Sequence, residues 1–189
     1  GFVPGESGKT TAQMAGGEVD VLFNLGADEI EIAAGPFVVY IGTHGDRGAH
    51  RADVILPGAA YTEKSGTWVN VEGRAQTGSR PGFPPGDARE DWAIIRALSA
   101  VLGHTLGFDS LGALRSEIYQ SHPWMRTDRV EPADAAAITR LADRAGTLNG
   151  GSFASNIGDF YLTNPIARAS KVMAECSQLA KAEHLEAAE

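Results

Sequence analysis

The residues best suited to chemistry lie in one glycine-rich run, Gly42-Thr43-His44-Gly45-Asp46-Arg47-Gly48, which follows a short apolar segment. His44 and Asp46, with His50 and Asp53 a few residues later, could in principle ligate a metal ion or transfer a proton. Zinc and catalytic sites usually carry tighter signatures, such as HExxH or paired CxxC. We therefore interpret the four side chains as solvated loop charges and predict no catalytic or metal-binding residue among them.

The glycines of the same run could instead admit a nucleotide. Their spacing is GxxGxxG, whereas the dinucleotide-binding fingerprint is GxGxxG. Open α/β sheets bind ligands beyond the carboxyl ends of their strands, where the turns 26–28, 42–48 and 57–58 are expected to fall. Two interpretations stay open: a cofactor crevice, or tight turns that need glycine. The spacing favours the turns, because a fold does not by itself establish a site.

Three other sequence features lack the residue pattern that the corresponding chemistry requires. Gly8-Lys9-Thr10 has Val3 where a P-loop needs its first glycine, and no strand precedes it. Ser65 does not lie in a GxSxG elbow, so it has no support as a nucleophile. Cys176 is the only cysteine, whereas an iron–sulfur cluster needs several, so this segment alone cannot hold one. We interpret Cys176 as part of an apolar helix face that packs in the core.

The composition is that of an ordinary globular protein, with 189 residues, 43% hydrophobic and 21% charged. The net charge is -8 and the acidic residues are dispersed, which argues against a nucleic-acid partner. No apolar stretch reaches the roughly 18 residues that span a bilayer, so we expect no direct membrane insertion. The chain begins at Gly1 rather than at Met, and we expect it to be a fragment or a processed piece.

The elements that must position these residues can be predicted from the hydrophobic pattern. Three nearly continuous apolar runs, 21–25, 37–41 and 54–56, are typical of strands covered on both faces of a parallel sheet. Short crossover helices are expected at 28–33 and 47–52. Residues 65–77 indicate a looser β or loop region.

The second half of the chain indicates helices. Asp87 and Glu90 form a capping-box pattern before an amphipathic stretch that ends at Gly103. Further helices are expected around 111–118, from Pro132 to Gly146, and from Asn164 and Pro165 through Leu179. We therefore divide the chain into a flanking segment (1–18), an α/β sheet region (19–77), a Gly/Pro linker (78–86) and a helical C-terminal region (87–189).

The run from Ala52 to Gln76 resembles the molybdopterin oxidoreductase superfamily, which includes formate dehydrogenases and nitrate reductases. The segments that match in order and spacing are Ala52–Pro57, Glu63–Thr67 and Asn70–Arg74. The resemblance implies an α/β fold with a Rossmann-like parallel sheet, followed in this chain by a helical C-terminal half.

Other segments resemble one branch of that superfamily, the large iron–sulfur subunits (75 kDa type) of NADH:quinone oxidoreductase, or respiratory complex I. They are Tyr40–Asp46, Gly58–Tyr61, Pro85–Trp92 and Asp159–Ser170. The likeness covers about residues 19–180. It implies 2Fe-2S and 4Fe-4S clusters in an N-terminal part absent here, and other peripheral-arm subunits of complex I as partners. It also implies a peripheral location, on the cytoplasmic side of a bacterial inner membrane or the matrix side of the mitochondrial one.

Three functions are consistent with these features to different degrees. The favoured one is a structural and assembly segment of an electron-transfer complex, with no cofactor, metal or catalytic residue of its own. The rival is part of a molybdopterin guanine dinucleotide-dependent oxidoreductase, with turns 26–28 and 42–48 lining the dinucleotide. A third is a free-standing α/β domain that binds an unknown nucleotide. The departure at His44-Gly45-Asp46 and the likeness of the C-terminal stretch favour the first.

Overall fold

The computed structural model of the chain describes residues 8–126, 128, 130, 134–142, 146, 150–153, 155 and 157–186. The strands are β1 (Val21–Leu25), β2 (Phe37–Gly42), β3 (Val54–Pro57), β4 (Gly66–Val69) and β5 (Ala75–Gly78). The α-helices are α1 (Thr11–Ala15), α2 (Arg47–Arg51), α3 (Asp91–Val101), α4 (Leu111–Ser121), α5 (Ala135–Ala142), α6 (Pro165–Ala169) and α7 (Lys171–Glu186). Two 3-10 turns lie at Pro123–Arg126 and Phe160–Leu162.

The first three strands form a small parallel sheet in the order β1-β2-β3, which confirms the α/β class. The pairing of β1 with β2 begins with Val21 opposite Phe37. The pairing of β2 with β3 begins with Val39 opposite Val54. The centre of the core is β2, whose residues 38–41 are all buried. The outer strands β1 and β3 differ from the prediction of burial on both faces, since each exposes apolar side chains.

The two crossovers follow different paths. Between β2 and β3 the predicted short helix is present as α2. Between β1 and β2 the helix predicted at 28–33 is wrong, and this segment is irregular. Its path is fixed by side chains rather than by helical bonds: Asn24 accepts the N–H of Ala27 at 2.9 Å and donates to the Ala27 carbonyl at 3.0 Å.

Of the β or loop structure predicted for residues 65–77, the β alternative is correct: β4 and β5 form a regular antiparallel hairpin. Gly66 faces Gly78 across the hairpin, and the Trp68 ring lies over both. A Cβ atom added to either glycine would lie 2.8 Å from that ring, so a larger residue at either position would have to displace it. Asn70 closes the turn by accepting the Arg74 N–H at 2.9 Å.

The first long helix begins later than the capping-box prediction. Helix α3 starts one residue after Glu90, whose side chain accepts the indole N–H of Trp92 at 2.6 Å. The residues before it extend the parallel sheet, because the Arg89 N–H donates to the Pro57 carbonyl at 3.1 Å. The predicted stop is confirmed, since Gly103 follows the helix with a φ of 80°.

The later helices agree with the prediction in place but not always in extent. Helix α4 ends before Pro123, as expected, and α5 lies within its predicted range, although Pro132 is outside the described residues. Asn164 caps α6 by accepting the Ala167 N–H at 2.9 Å, and Pro165 is its first residue, as predicted.

The single final helix that was predicted is in fact two. Ser170 is extended, with φ -85° and ψ 122°, and separates α6 from α7. The apolar stripe expected in the core is largely exposed, with Val172 65% and Leu179 66% accessible. Among the side chains of α7 that the structure describes, the buried one is polar: Ser177 donates to Asp159 at 2.5 Å. None of the helices in the described residues is both long and apolar enough to cross a membrane.

Candidate functional site

The three parallel strands end at one edge of the sheet, which we call the carboxyl edge, and Tyr40 fills its inner part. Tyr40 is 1% exposed, and its hydroxyl donates to Asp28 Oδ1 at 2.9 Å. A Cβ atom added to Gly42 would lie 2.1 Å from the hydroxyl oxygen, and one added to Gly48 would lie 2.5 Å from the ring. Tyr40 therefore requires glycine at both positions, which supports the tight-turn interpretation of each.

Asp28 joins the strand end to the turn after β2. Its Oδ1 also accepts the backbone N–H of Gly48 at 3.2 Å, while its Oδ2 is buried without a hydrogen-bond partner among the described residues. Burial raises the pKa of Tyr40 well above its ordinary value, and the hydrogen bond to Asp28 raises it further. The raised pKa favours the protonated phenol, which is the form that donates to Asp28.

Asp46 forms the outer layer of the edge. Its Oδ1 accepts the Arg47 N–H at 2.9 Å as the cap of α2, and its Oδ2 accepts from Arg168 Nε at 2.5 Å. Burial alone would raise the pKa of Asp46, but the hydrogen bonds from Arg168 and from the Arg47 amide outweigh it. The net pKa is lowered.

Arg168 connects the C-terminal region to this edge. Besides Asp46, its guanidinium reaches Glu29 at 3.1 Å and the Leu162 carbonyl at 3.1 Å, both through Nη1. Its Nη2 is buried and has no partner within the part of the chain that the structure describes. Sequence reasoning missed Arg168 as a positioning residue. The available signal was its place in the segment 159–170, which carried the resemblance.

The four residues first considered for chemistry are not brought together. Asp46 lies at the carboxyl edge, whereas Asp53 accepts the Val38 N–H at 2.7 Å at the opposite end of the strands. The His44 ring contacts the hydroxyl of its neighbour Thr43 at 2.7 Å, and His50 is exposed. Across the described ranges, no three His, Cys, Asp or Glu side chains are grouped so that they could hold a metal ion.

The other candidate residues have structural contacts. Ser65 accepts the backbone N–H of Arg80 at 3.1 Å, Thr10 caps α1, and Cys176 is half-buried on α7. The first two residues of the Glu63–Thr67 motif also have structural contacts. Glu63 accepts the Ala60 N–H at 3.0 Å, and Lys64 pairs with Asp91.

The lowered pKa of Asp46 predicts a loss of stability in acid. Because its pKa is lower in the folded than in the unfolded chain, Asp46 contributes fully above about pH 4, the unfolded value. The contribution is lost as the pH falls through the folded pKa, since protonation removes the charge that faces Arg168. Thermal unfolding should be measured for the wild type and for Asp46→Asn between pH 7 and pH 2. The difference between their melting temperatures should shrink as the pH falls. A difference that is constant over this range would contradict the prediction.

Parallel strands, short crossovers and glycine turns at one edge define an α/β protein. The chain belongs to the molybdopterin oxidoreductase family, whose model matches residues 1–101, just over half of its length. A second family model, for the C-terminal part of the G-type subunit of NADH-ubiquinone oxidoreductase, matches residues 129–176.

Three relatives are similar over most of this chain. The NADH-ubiquinone oxidoreductase 75 kDa subunit of Reclinomonas americana is 43% identical over 87% of the chain and 24% of its own length. The NADH dehydrogenase [ubiquinone] iron-sulfur protein 1 of Solanum tuberosum is 45% identical, over 85% and 22% respectively. The NADH-ubiquinone oxidoreductase 78 kDa subunit of Candida albicans is 44% identical, over 82% and 23%. The chain thus spans about a quarter of the length of the relatives that it matches.

Proposed function

We propose that this chain is a structural and assembly segment of the large iron–sulfur subunit of NADH:quinone oxidoreductase. The whole subunit would pass electrons from NADH towards quinone through 2Fe-2S and 4Fe-4S clusters located outside this segment, in a proton-translocating complex. The observation that carries the proposal is the carboxyl edge, where Tyr40 bonds to Asp28 and Arg168 bonds to Asp46. Each of these two carboxyl groups also accepts a backbone N–H of the turn. The names of the three relatives support it independently.

The segment's own part would be to contribute packing surface rather than chemistry. We propose no catalytic, cofactor-binding or metal-binding residue in it, and the four-part division at residues 18, 77 and 86 stands as part of this proposal. Its partners would be other peripheral-arm subunits, and the complex would face the bacterial cytoplasm or the mitochondrial matrix. Burial of apolar side chains such as Val172 and Leu179 against such a partner is favourable, at about 25 cal/mol per Å² before the costs of association.

In the rival function, this chain would be part of an oxidoreductase that depends on molybdopterin guanine dinucleotide. This dinucleotide is the cofactor that the family implies. The residues present do not fit that group. Gly42 and Gly48, which could have admitted it, are packed against the Tyr40 ring, and the Gly48 amide already bonds to Asp28. We therefore derive no step through a pterin or molybdenum.

The two functions make opposite analytical predictions for the intact protein that carries this chain. We expect iron without molybdenum or pterin after purification from its native membrane, together with other NADH dehydrogenase subunits in constant ratio. The measurements are elemental analysis, pterin fluorescence after oxidation, and mass spectrometry of the purified assembly. Molybdenum at one atom per chain, or a protein that purifies alone with bound pterin, would favour the rival.

A further inference from the structure

We propose that the C-terminal region docks, through Arg168, at the place where the family's enzymes would hold their dinucleotide, and that this docking excludes phosphate ligands from the carboxyl edge. In this arrangement the chain's own side chains bind two amides of the turn after β2 and fill the space over two of its glycines. The inference goes beyond the proposed function, and it holds for whichever assembly the segment joins.

The backbone donors of the turn after β2 are the first part of the case. A phosphate held in a glycine-rich turn accepts hydrogen bonds from consecutive backbone N–H groups. Here the Arg47 N–H donates to Asp46 Oδ1 at 2.9 Å, and the next amide, of Gly48, donates to Asp28 Oδ1 at 3.2 Å. Two neighbouring amides are thus bound by two carboxyl groups of the same chain, which stand in the place of phosphate oxygens.

The space over the turn is the second part. The Tyr40 ring lies so close to Gly42 and Gly48 that neither position could accept even a methyl group. A ligand approaching these backbone segments would have to displace a ring that is 1% exposed and hydrogen-bonded to Asp28. Displacing a buried aromatic side chain is strongly unfavourable, because its packing contacts and its hydrogen bond are lost together.

Charge is the third part. Asp28, Glu29 and Asp46 place three acidic side chains at this edge, and Arg168 is the cation that contacts two of them. A pyrophosphate would place further negative charge beside these acidic groups. The cation that could balance this charge, Arg168, is already paired with Glu29 and Asp46. Binding the pyrophosphate would require Arg168 to leave Asp46, which would break the side-chain contact between α6 and the turn.

The unpaired donor on Arg168 is a feature that could favour a phosphate. Its Nη2 has no partner among the described residues, but the atom is buried, so a ligand reaches it only after the groups around it rearrange. The unpaired Oδ2 of Asp28 is an acceptor and would repel a phosphate oxygen. Neither atom therefore offers a place for a phosphate while the C-terminal region is docked.

Hydrogen–deuterium exchange on the intact protein tests the docking. In Arg168→Gln we expect exchange to become about tenfold faster both in 159–170 and in 40–52, because loss of hydrogen bonds to a charged group loosens both segments. The matched control is Arg140→Gln, an exposed arginine on α5, which should leave both segments unchanged. Faster exchange in 159–170 alone, with 40–52 still protected, would show that Arg168 does not hold the edge.

The exclusion of ligands is tested on the wild-type protein, so it does not depend on any variant folding. Pyrophosphate and guanosine diphosphate are added separately at millimolar concentration, and exchange in 40–52 is measured again. We expect no added protection from either probe. Protection by either one overturns the proposal, whereas failure to find complex I subunits in the purified assembly would count only against the proposed function.

Discussion

Replacing Tyr40 with phenylalanine should lower the free energy of unfolding by about 2 kcal/mol, the cost of leaving a buried polar group without its partner. The substitution keeps the ring that packs against Gly42 and Gly48 and removes only the hydroxyl. Asp28 would then lose its 2.9 Å hydrogen bond while staying buried. It would keep the Gly48 amide at 3.2 Å, but its other oxygen has no partner in the described structure to compensate. Replacement with alanine should cost more, about 3–5 kcal/mol, since it also leaves a cavity in the core.

The control for this prediction is Tyr61→Phe, at a tyrosine that is 63% exposed. Its unfolding free energy should stay within about 0.5 kcal/mol of the wild type, as for most surface substitutions. Chemical denaturation of the three proteins measures the effect directly. If Tyr40→Phe is as stable as Tyr61→Phe, the hydroxyl contact does not stabilise the edge, and the interpretation of Tyr40 as a structural donor is wrong.

Replacing Arg168 with alanine should destabilise the protein by about 2 kcal/mol, as expected for breaking a largely buried charged pair. Its side chain is 22% exposed and that of Asp46 is 16% exposed, so solvent screens this contact only in part. The contact with Glu29 contributes little, because that carboxylate is 66% exposed. The loss should therefore arise mainly from Asp46 and the Leu162 carbonyl.

A double-mutant cycle separates the pair from its surroundings. Arg168→Ala, Asp46→Ala and the double variant should give a coupling energy of about 1–2 kcal/mol between the two residues. The same cycle with Glu29→Ala in place of Asp46→Ala should give a coupling near zero, since the Glu29 contact is exposed. Equal coupling energies in the two cycles would mean that the buried contact with Asp46 is no stronger than the exposed contact with Glu29. Asp46 would then not be the main partner of Arg168.

Much of the local structure could be predicted because its causes lie within a few residues. The continuous apolar run of β2 predicted a buried strand, and Asn164 with Pro165 predicted the start of α6. Gly103 predicted the end of the preceding helix through its positive φ. The start of α3 predicted from the capping-box pattern was wrong. The residues before this helix bond instead to the end of β3, which is distant in sequence.

The sequence by itself determined the α/β class, the central strand and most helix ends, because apolar periodicity and capping act over a few neighbouring residues. It also supplied the motifs that carried the family resemblance. Only the tertiary structure decided that the glycine turn packs on Tyr40 and that Arg168 reaches Asp46, two residues 122 positions apart. Such pairs depend on how the strands and helices are placed in space, and neither partner's local sequence specifies the other.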